Sequence, residues 1–262
     1  MHLETLVQQS DANAHATPLL FVHGAWHGAW CWSEHFLPYF AQHGYICYAF
    51  DLRGHGKSAG RNGLRWTGIE HYVADVAQVA SKLETPPVLI GHSMGGLVVQ
   101  KYLETHQAPA AVLLASVPPG GVFRTTLSIA RRHPWPFLKA NLTLRLYPII
   151  GTSQLTHEAF FSPTMSEEQV RTYFAQVQDE SYRAFIDMMM LSLPHPKRVK
   201  TPMLVLGGAK DTIFTRKEVQ ATARAYHTQA VIFPDMAHDL MLEPGWQAVA
   251  DHILNWLAER RI

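Results

Sequence analysis

Cysteine is scarce in this chain: only Cys31 and Cys47 occur in 262 residues. Two thiols make no disulfide framework, so a packed core has to hold the fold, and the usage fits a reducing compartment. An excess of one charge is also missing. Lys and Arg number 22 against 21 Asp and Glu, a formal charge of +1. No basic stripe or block of like charge is there to grip a phosphate backbone or an anionic membrane, which sets nucleic acid aside as a partner. No apolar run approaches the ~18 residues of a membrane span. The start, MHLETLVQQSDANAHA, has neither the positive segment nor the apolar stretch of a secretory leader. The expectation from these absences is a cytoplasmic protein with no transmembrane segment. The 16 histidines are scattered, with no HExxH and no paired Cys/His spacing, so no metal site is expected.

What the chain does have is apolar residues, 47% of the total, enough at this length for one large core. Short apolar runs alternate with helical patterns: 19–23 then 30–43, 45–50 then 69–84, 88–90 then 93–105, then 110–115. Continuous apolar strands in βαβα order predict an α/β fold, a mostly parallel sheet covered by helices on both faces. From about Pro118 to Lys200 the strand pattern stops, and prolines at 134, 136, 148, 163, 194 and 196 separate helix-like stretches. Thr164 and Ser166 ahead of Glu167, Glu168 and Gln169 are capping-box chemistry for a helix through Val177, and a second helix is predicted over 182–193. After Pro202 come the strand MLVLGG, a helix over 216–226, the strand AVIFP and an amphipathic helix over 246–260. The predicted organisation is a core of residues 1–117 and 201–262 with a helical cap inserted at 118–200.

Between a predicted strand and a predicted helix the chain reads Gly91-His92-Ser93-Met94-Gly95. A G-x-S-x-G turn in that setting lifts the serine above the carboxyl edge of a sheet, at a helix N-terminus whose N–H groups face a developing oxyanion. A serine hydroxyl needs a base, and the base an orienting acid, each from the end of another strand. Asp211 follows MLVLGG and His238 follows AVIFP. The order Ser93, Asp211, His238 is that of the α/β-hydrolase type. Asp235 and Asp239 bracket the histidine, but Asp211, at the end of a separate strand, is preferred as the acid.

The chain resembles the α/β-hydrolase superfamily over nearly its whole length. The resemblance is carried by Val22-His23-Gly24-Ala25-Trp26, the segment DLRGHGKS at 51–58, the elbow GHSMGG, GAKD ending at Asp211, and MAHDLMLEP around His238. It implies a doubly wound, mostly parallel sheet of the α/β-hydrolase type with a helical cap. It also implies that the backbone N–H groups of Ala25 and Met94 form the oxyanion hole, and that no cofactor is required. Asp51, Arg53 and His55 then shape a turn, and His23 and His92 pack behind the reacting groups. The usual antiparallel N-terminal strands would be abbreviated to little more than LETLVQQ.

Trp26, Trp30, Phe214 and Leu240 flank the catalytic loops and are the expected substrate-binding residues. Aromatics and methionines of the cap, among them Phe123, Trp135, Phe160, Phe161, Tyr173 and Met188, would either line an apolar acyl pocket or glue the cap to the body. Arg124, Arg131 and Arg132 would face solvent or a phosphate head group. Relatives that cleave carbon–halogen bonds or epoxides carry aspartate at the elbow, where this chain has serine. The leading expectation is therefore hydrolysis of a small-molecule carboxylic ester with an apolar acyl group, of the carboxylesterase, monoacylglycerol lipase or lysophospholipase kind. HGAWHGAWCW also resembles plant methylesterases and hydroxynitrile lyases, although nothing marks a cyanohydrin site. Carbon–carbon hydrolysis, lactone opening and cofactor-free peroxidation use the same triad and stay open, as does a non-catalytic small-molecule-binding role on the same fold.

Overall fold

Consecutive residues of one strand serve two different cores. In β2 (Leu19–Val22), Leu19 and Phe21 pack on one face of the sheet, and Leu20 and Val22 on the other. This period-two alternation with apolar residues on both sides is what a strand needs when helices cover both faces. The structure, a computed structural model, describes residues 1–10 and 15–262; residues 11–14, part of the N-terminal stretch read above for a leader, lie outside the described residues.

Among the described residues the other strands are β1 (Thr5–Gln8), β3 (Cys47–Phe50), β4 (Val88–His92), β5 (Ala111–Leu114), β6 (Met203–Gly208) and β7 (Ala230–Phe233). They lie in the order β1-β3-β2-β4-β5-β6-β7. β1 runs antiparallel to β3, with Thr5 opposite Phe50, and the remaining pairs are parallel. The N-terminal edge is thus one four-residue strand, within the LETLVQQ segment.

On the Phe21 face lie α1 (Trp30–Ser33), α2 (Phe36–Gln42) and α11 (Trp246–Glu259), which bury Trp32, Phe36, Phe40 and Ile253. On the Val22 face lie α3 (Ile69–Ala80), α4 (Met94–Tyr102) and α10 (Arg216–Ala225), which bury Tyr72, Leu97 and Val219. The single helix expected over 30–43 is broken at His35 (φ −133°, ψ −51°). In an unbroken helix the ring of Pro38 would meet the carbonyl four residues back; a new helix starting at Phe36 puts Pro38 in its first turn, where it is tolerated.

Between β5 and β6 the chain forms α5 (Phe123–Arg132), α6 (Pro134–Thr143), α7 (Ser153–Phe160), α8 (Glu167–Phe174) and α9 (Tyr182–Ile186). Ser166 caps α8 as expected, its Oγ accepting from Gln169 N at 3.2 Å. The helix expected over 182–193 is instead α9 followed by a wider π turn, Asp187–Leu191. Asp187 is drawn aside by Ile69 N at 3.0 Å and Arg183 Nε at 2.8 Å, and Ser192 N reaches back to Asp187 O at 2.9 Å. Single π turns of this kind often re-aim side chains. Here Met188 faces the cavity described next.

Candidate active site

Ser93 joins β4 to α4 with φ 51° and ψ −118°, a left-handed backbone that a residue with a Cβ holds only when its surroundings impose it. Its N–H donates to Leu114 O at 3.0 Å, and its carbonyl accepts from Gly96 N at 3.0 Å and Val117 N at 3.1 Å. The turn is that tight because α4 starts against the end of β2: a Cβ on Gly95 would collide with the carbonyls of Val22 and His23. Met94 is the first residue of α4, so its N–H has no partner within the helix and is free to face an anion.

Asp211 and His238 leave the neighbouring strand ends β6 and β7. Asp211 Oδ2 accepts from His238 Nδ1 at 2.9 Å, while Oδ1 takes the N–H groups of Ile213 and Phe214 at 2.7 and 3.0 Å. Both side chains are almost fully buried. With Nδ1–H committed to the carboxylate, Nε2 carries the lone pair. His238 is held by its own N–H to Phe160 O at 3.1 Å and by His92 Nε2 on its carbonyl at 3.1 Å. No hydrogen bond joins Ser93 Oγ to His238 among the described residues. Such contacts are often long until substrate is bound.

The loop after β2 closes over the serine: a Cβ on Gly24 would lie 3.0 Å from Ser93 Cβ and 2.8 Å from His92 Nδ1. His23 sets this loop's first peptide. Its Nε2 accepts from Leu52 N at 3.0 Å, so Nδ1 holds the proton and donates to Gly24 O at 2.8 Å. Burial, with the charge on His55, pushes the His23 pKa down to about 3, which keeps the ring neutral. With Gly24 O held on one side, the N–H of the same peptide, on Ala25, lies on the other.

Ser93, Ala25 and Met94 share a small cavity of about 70 Å³, lined also by Trp26, Val117, Ile129, Met188 and Phe214. Nearly all its walls are apolar, and they come both from the sheet edge and from the α5–α9 segment. Trp26 and Phe214, expected beside substrate, are there. Trp30 and Leu240, expected with them, are not in the lining: Trp30 stacks between His27 and Tyr173, and Leu240 is fully buried in the core. Among the aromatics of residues 118–200, Phe160, Phe161 and Tyr173 are core residues, whereas Phe123 and Trp135 are exposed. A larger hollow of about 680 Å³ runs between Arg61, Trp66, Arg145 and Tyr147. It does not include Ser93, so chemistry rather than size locates the candidate site.

The chain matches the alpha/beta hydrolase family over residues 19–252. It is a member of that family. A monoacylglycerol lipase from Mycolicibacterium smegmatis is 26% identical over 244 residues, covering 86% of this chain and 82% of that protein. A non-heme haloperoxidase from Rhodococcus erythropolis is 38% identical over 106 residues, but the match spans only 38% of its length and 39% of this chain. The crystal structure of a monoacylglycerol lipase from Paleococcus ferrophilus shares the fold, with TM-score 0.72, 22% identity, and coverage of 99% of this chain and 100% of that one.

In this α/β-hydrolase the residues flanking the candidate triad form two buried ion pairs that sequence reasoning missed. His27 donates from Nδ1 to Ala25 O at 2.7 Å and from Nε2 to Asp239 Oδ2 at 2.9 Å. His55 donates from Nδ1 to Arg53 O at 3.1 Å and from Nε2 to Glu180 Oε2 at 3.0 Å. A ring with acceptors on both nitrogens carries both protons. Burial opposes charge on each ring, but the facing carboxylates more than offset it and hold both histidines above their ordinary pKa. Burial likewise opposes ionisation of Asp239 and Glu180, and the same partners hold them below theirs. His92, whose Nε2 lies 3.5 Å from Asp239 Oδ1, is nevertheless pushed well down by burial and by the nearby His238. The only signal in sequence was the spacing HGAWHG, in which the second histidine follows the loop it secures. DLRGHGKS serves the turn as expected: Asp51 takes Ala29 N at 2.7 Å and Lys57 N at 3.0 Å, and Arg53 pairs with Asp75.

The hydrolase has no described helix long and apolar enough to cross a membrane.

Proposed function

We propose that this chain is a serine hydrolase that cleaves a small carboxylic ester with an apolar acyl group. One observation carries the reading: Ser93, on a strained strand-to-helix corner, opens with the Ala25 and Met94 backbone into an apolar cavity, beside an Asp211–His238 hydrogen bond. Ser93 Oγ attacks the ester carbonyl as its proton passes to His238 Nε2, and Asp211 stabilises the resulting imidazolium. The Ala25 and Met94 N–H groups take the negative charge of the tetrahedral oxygen. The carbon–oxygen bond to the alcohol then breaks, and the alcohol leaves with the proton from His238. Water, deprotonated by the same imidazole, releases the acid and restores Ser93. Residues 118–200 act as a cap whose inner side forms half of the acyl pocket. The relationship to a monoacylglycerol lipase along most of both chains supports an acyl ester as the substrate class.

Peroxidation without a cofactor is a second reading, favoured by the local match to a non-heme haloperoxidase. Hydrogen peroxide would then replace water as the nucleophile towards the acyl-enzyme, releasing a peracid. The test is a chain-length series of p-nitrophenyl esters together with monoacylglycerol, a lactone and hydrogen peroxide with a short carboxylic acid, run on wild type and Ser93→Ala. Ester turnover that vanishes in Ser93→Ala is expected. Turnover that survives in that variant would remove the serine mechanism.

A further inference from the structure

One peptide group of the oxyanion loop, the one joining Ala25 to Trp26, is held at both ends by the buried ion pairs. Its carbonyl, Ala25 O, accepts from the His27 imidazolium. Its N–H, on Trp26, donates to Glu180 Oε2 at 3.3 Å. The carbonyl of the following peptide, Trp26 O, accepts from Gln178 N at 2.9 Å. Trp26 itself sits at φ 65°, left-handed and unfavourable for so bulky a residue. Two of the three groups that hold this bend, Glu180 and Gln178, come from the segment between β5 and β6.

Glu180 suits the task because its carboxylate faces donors alone: Trp26 N, His55 Nε2 at 3.0 Å, Tyr72 Oη at 2.8 Å and Ser181 N at 2.6 Å. An acceptor-only group satisfies all four, and a neutral amide in its place would turn an NH₂ towards donors. The residue is buried with His55, so withdrawing it would leave an imidazolium without a counter-charge.

We propose that Glu180 is a positioning residue for the oxyanion hole: the cap segment supplies the anion that keeps the Trp26 bend and so aims the Ala25 N–H at the substrate oxygen. The inference rests on the serine-hydrolase reading above and deepens it. It makes the cap part of the catalytic frame as well as the pocket wall. A hole donor displaced by a fraction of an ångström loses much of its hold on the transition state while leaving the acyl pocket, and hence ground-state binding, nearly intact.

The experiment compares wild type, Glu180→Gln and the double variant His55→Gln/Glu180→Gln, in which no lone buried charge remains. Each is melted thermally, assayed with a p-nitrophenyl ester, titrated with a trifluoromethyl ketone of the same acyl chain, and timed for labelling by a fluorophosphonate. The ketone adds to Ser93 Oγ, and its oxygen becomes an anion in the hole. For a folded variant the expected result is kcat down by roughly 10- to 100-fold with KM within about threefold. Ketone affinity and labelling rate should fall in parallel. The double variant should recover stability without recovering kcat. A folded variant of either kind with wild-type kcat and ketone affinity, or one in which only KM rises, overturns the proposal. Absence of labelling and turnover in wild type would instead strike at the serine-hydrolase reading, so the two failures are separate.

Discussion

Asp239 follows His238 directly in the chain, yet its carboxylate hydrogen-bonds His27 Nε2 at 2.9 Å and not the His238 ring. The acid bonded to His238 is Asp211, from the end of β6. Two carboxylates near one histidine thus divide the work: one orients the imidazole, and the other secures the loop that carries Ala25.

Replacement of each aspartate separates these tasks. Asp211→Asn should lower kcat for a p-nitrophenyl ester by about 10⁴-fold, because the amide favours the wrong tautomer of His238. Asp235→Asn, at an exposed position, should leave turnover within twofold. Asp239→Asn strands a buried imidazolium and should cost about 3–5 kcal/mol of stability, read by denaturant melts. Loss of activity in Asp235→Asn with none in Asp211→Asn would reverse the assignment.

Ser93→Ala should drop kcat by about 10⁶-fold and abolish fluorophosphonate labelling, with melting little changed. Gly95→Ala should fail differently. Its added methyl meets the Val22 and His23 carbonyls, so thermal stability falls along with activity.

Stability should peak near pH 6.5, the ordinary histidine value. His23 and His92 have lowered pKa values, so below that pH the unfolded chain binds more protons and folding weakens as pH falls. For His23, with its value near 3, the loss between pH 6.5 and 4 corresponds to a Tm decrease on the order of 10 °C. His27 and His55 have raised values, so their contribution is complete below about pH 6.5 and is lost as pH rises through the folded-state values. Melts from pH 4 to 9 check both limbs. A Tm that rises steadily to pH 9 would contradict the charged state of His27 and His55.

In the proposed reaction the cavity wall sets acyl preference. Met188→Trp should fill space next to Ser93 and raise KM for long-chain p-nitrophenyl esters by about 10-fold or more, with acetate within threefold. Equal effects on all chain lengths would move the acyl group away from Met188.

The α/β architecture was legible because its signals are local. Leu19 to Val22 alternates between two apolar faces, Gly95 admits the tight corner after Ser93, and Ser166 caps α8 within its own turn. Each depends on neighbours a few residues away. The break before Phe36 had a local cause as well, Pro38, which the apolar pattern over 30–43 masked. The π turn after Ile186 had only part of its cause nearby, in Arg183, since Asp187 also accepts from Ile69 N of a distant helix.

By itself, then, the sequence determined the order of elements and the strand ends at which Ser93, Asp211 and His238 emerge. Hydrophobic period, turn residues and capping are properties of short segments. Only the tertiary structure decided which carboxylates meet His27 and His55, that Trp30 and Leu240 are not in the cavity lining, and that Glu180 reaches Trp26 N, 154 residues away in the chain. Those pairings bury charge, and a buried charge takes whichever partner the packed core brings within hydrogen-bond distance, however far along the chain it lies.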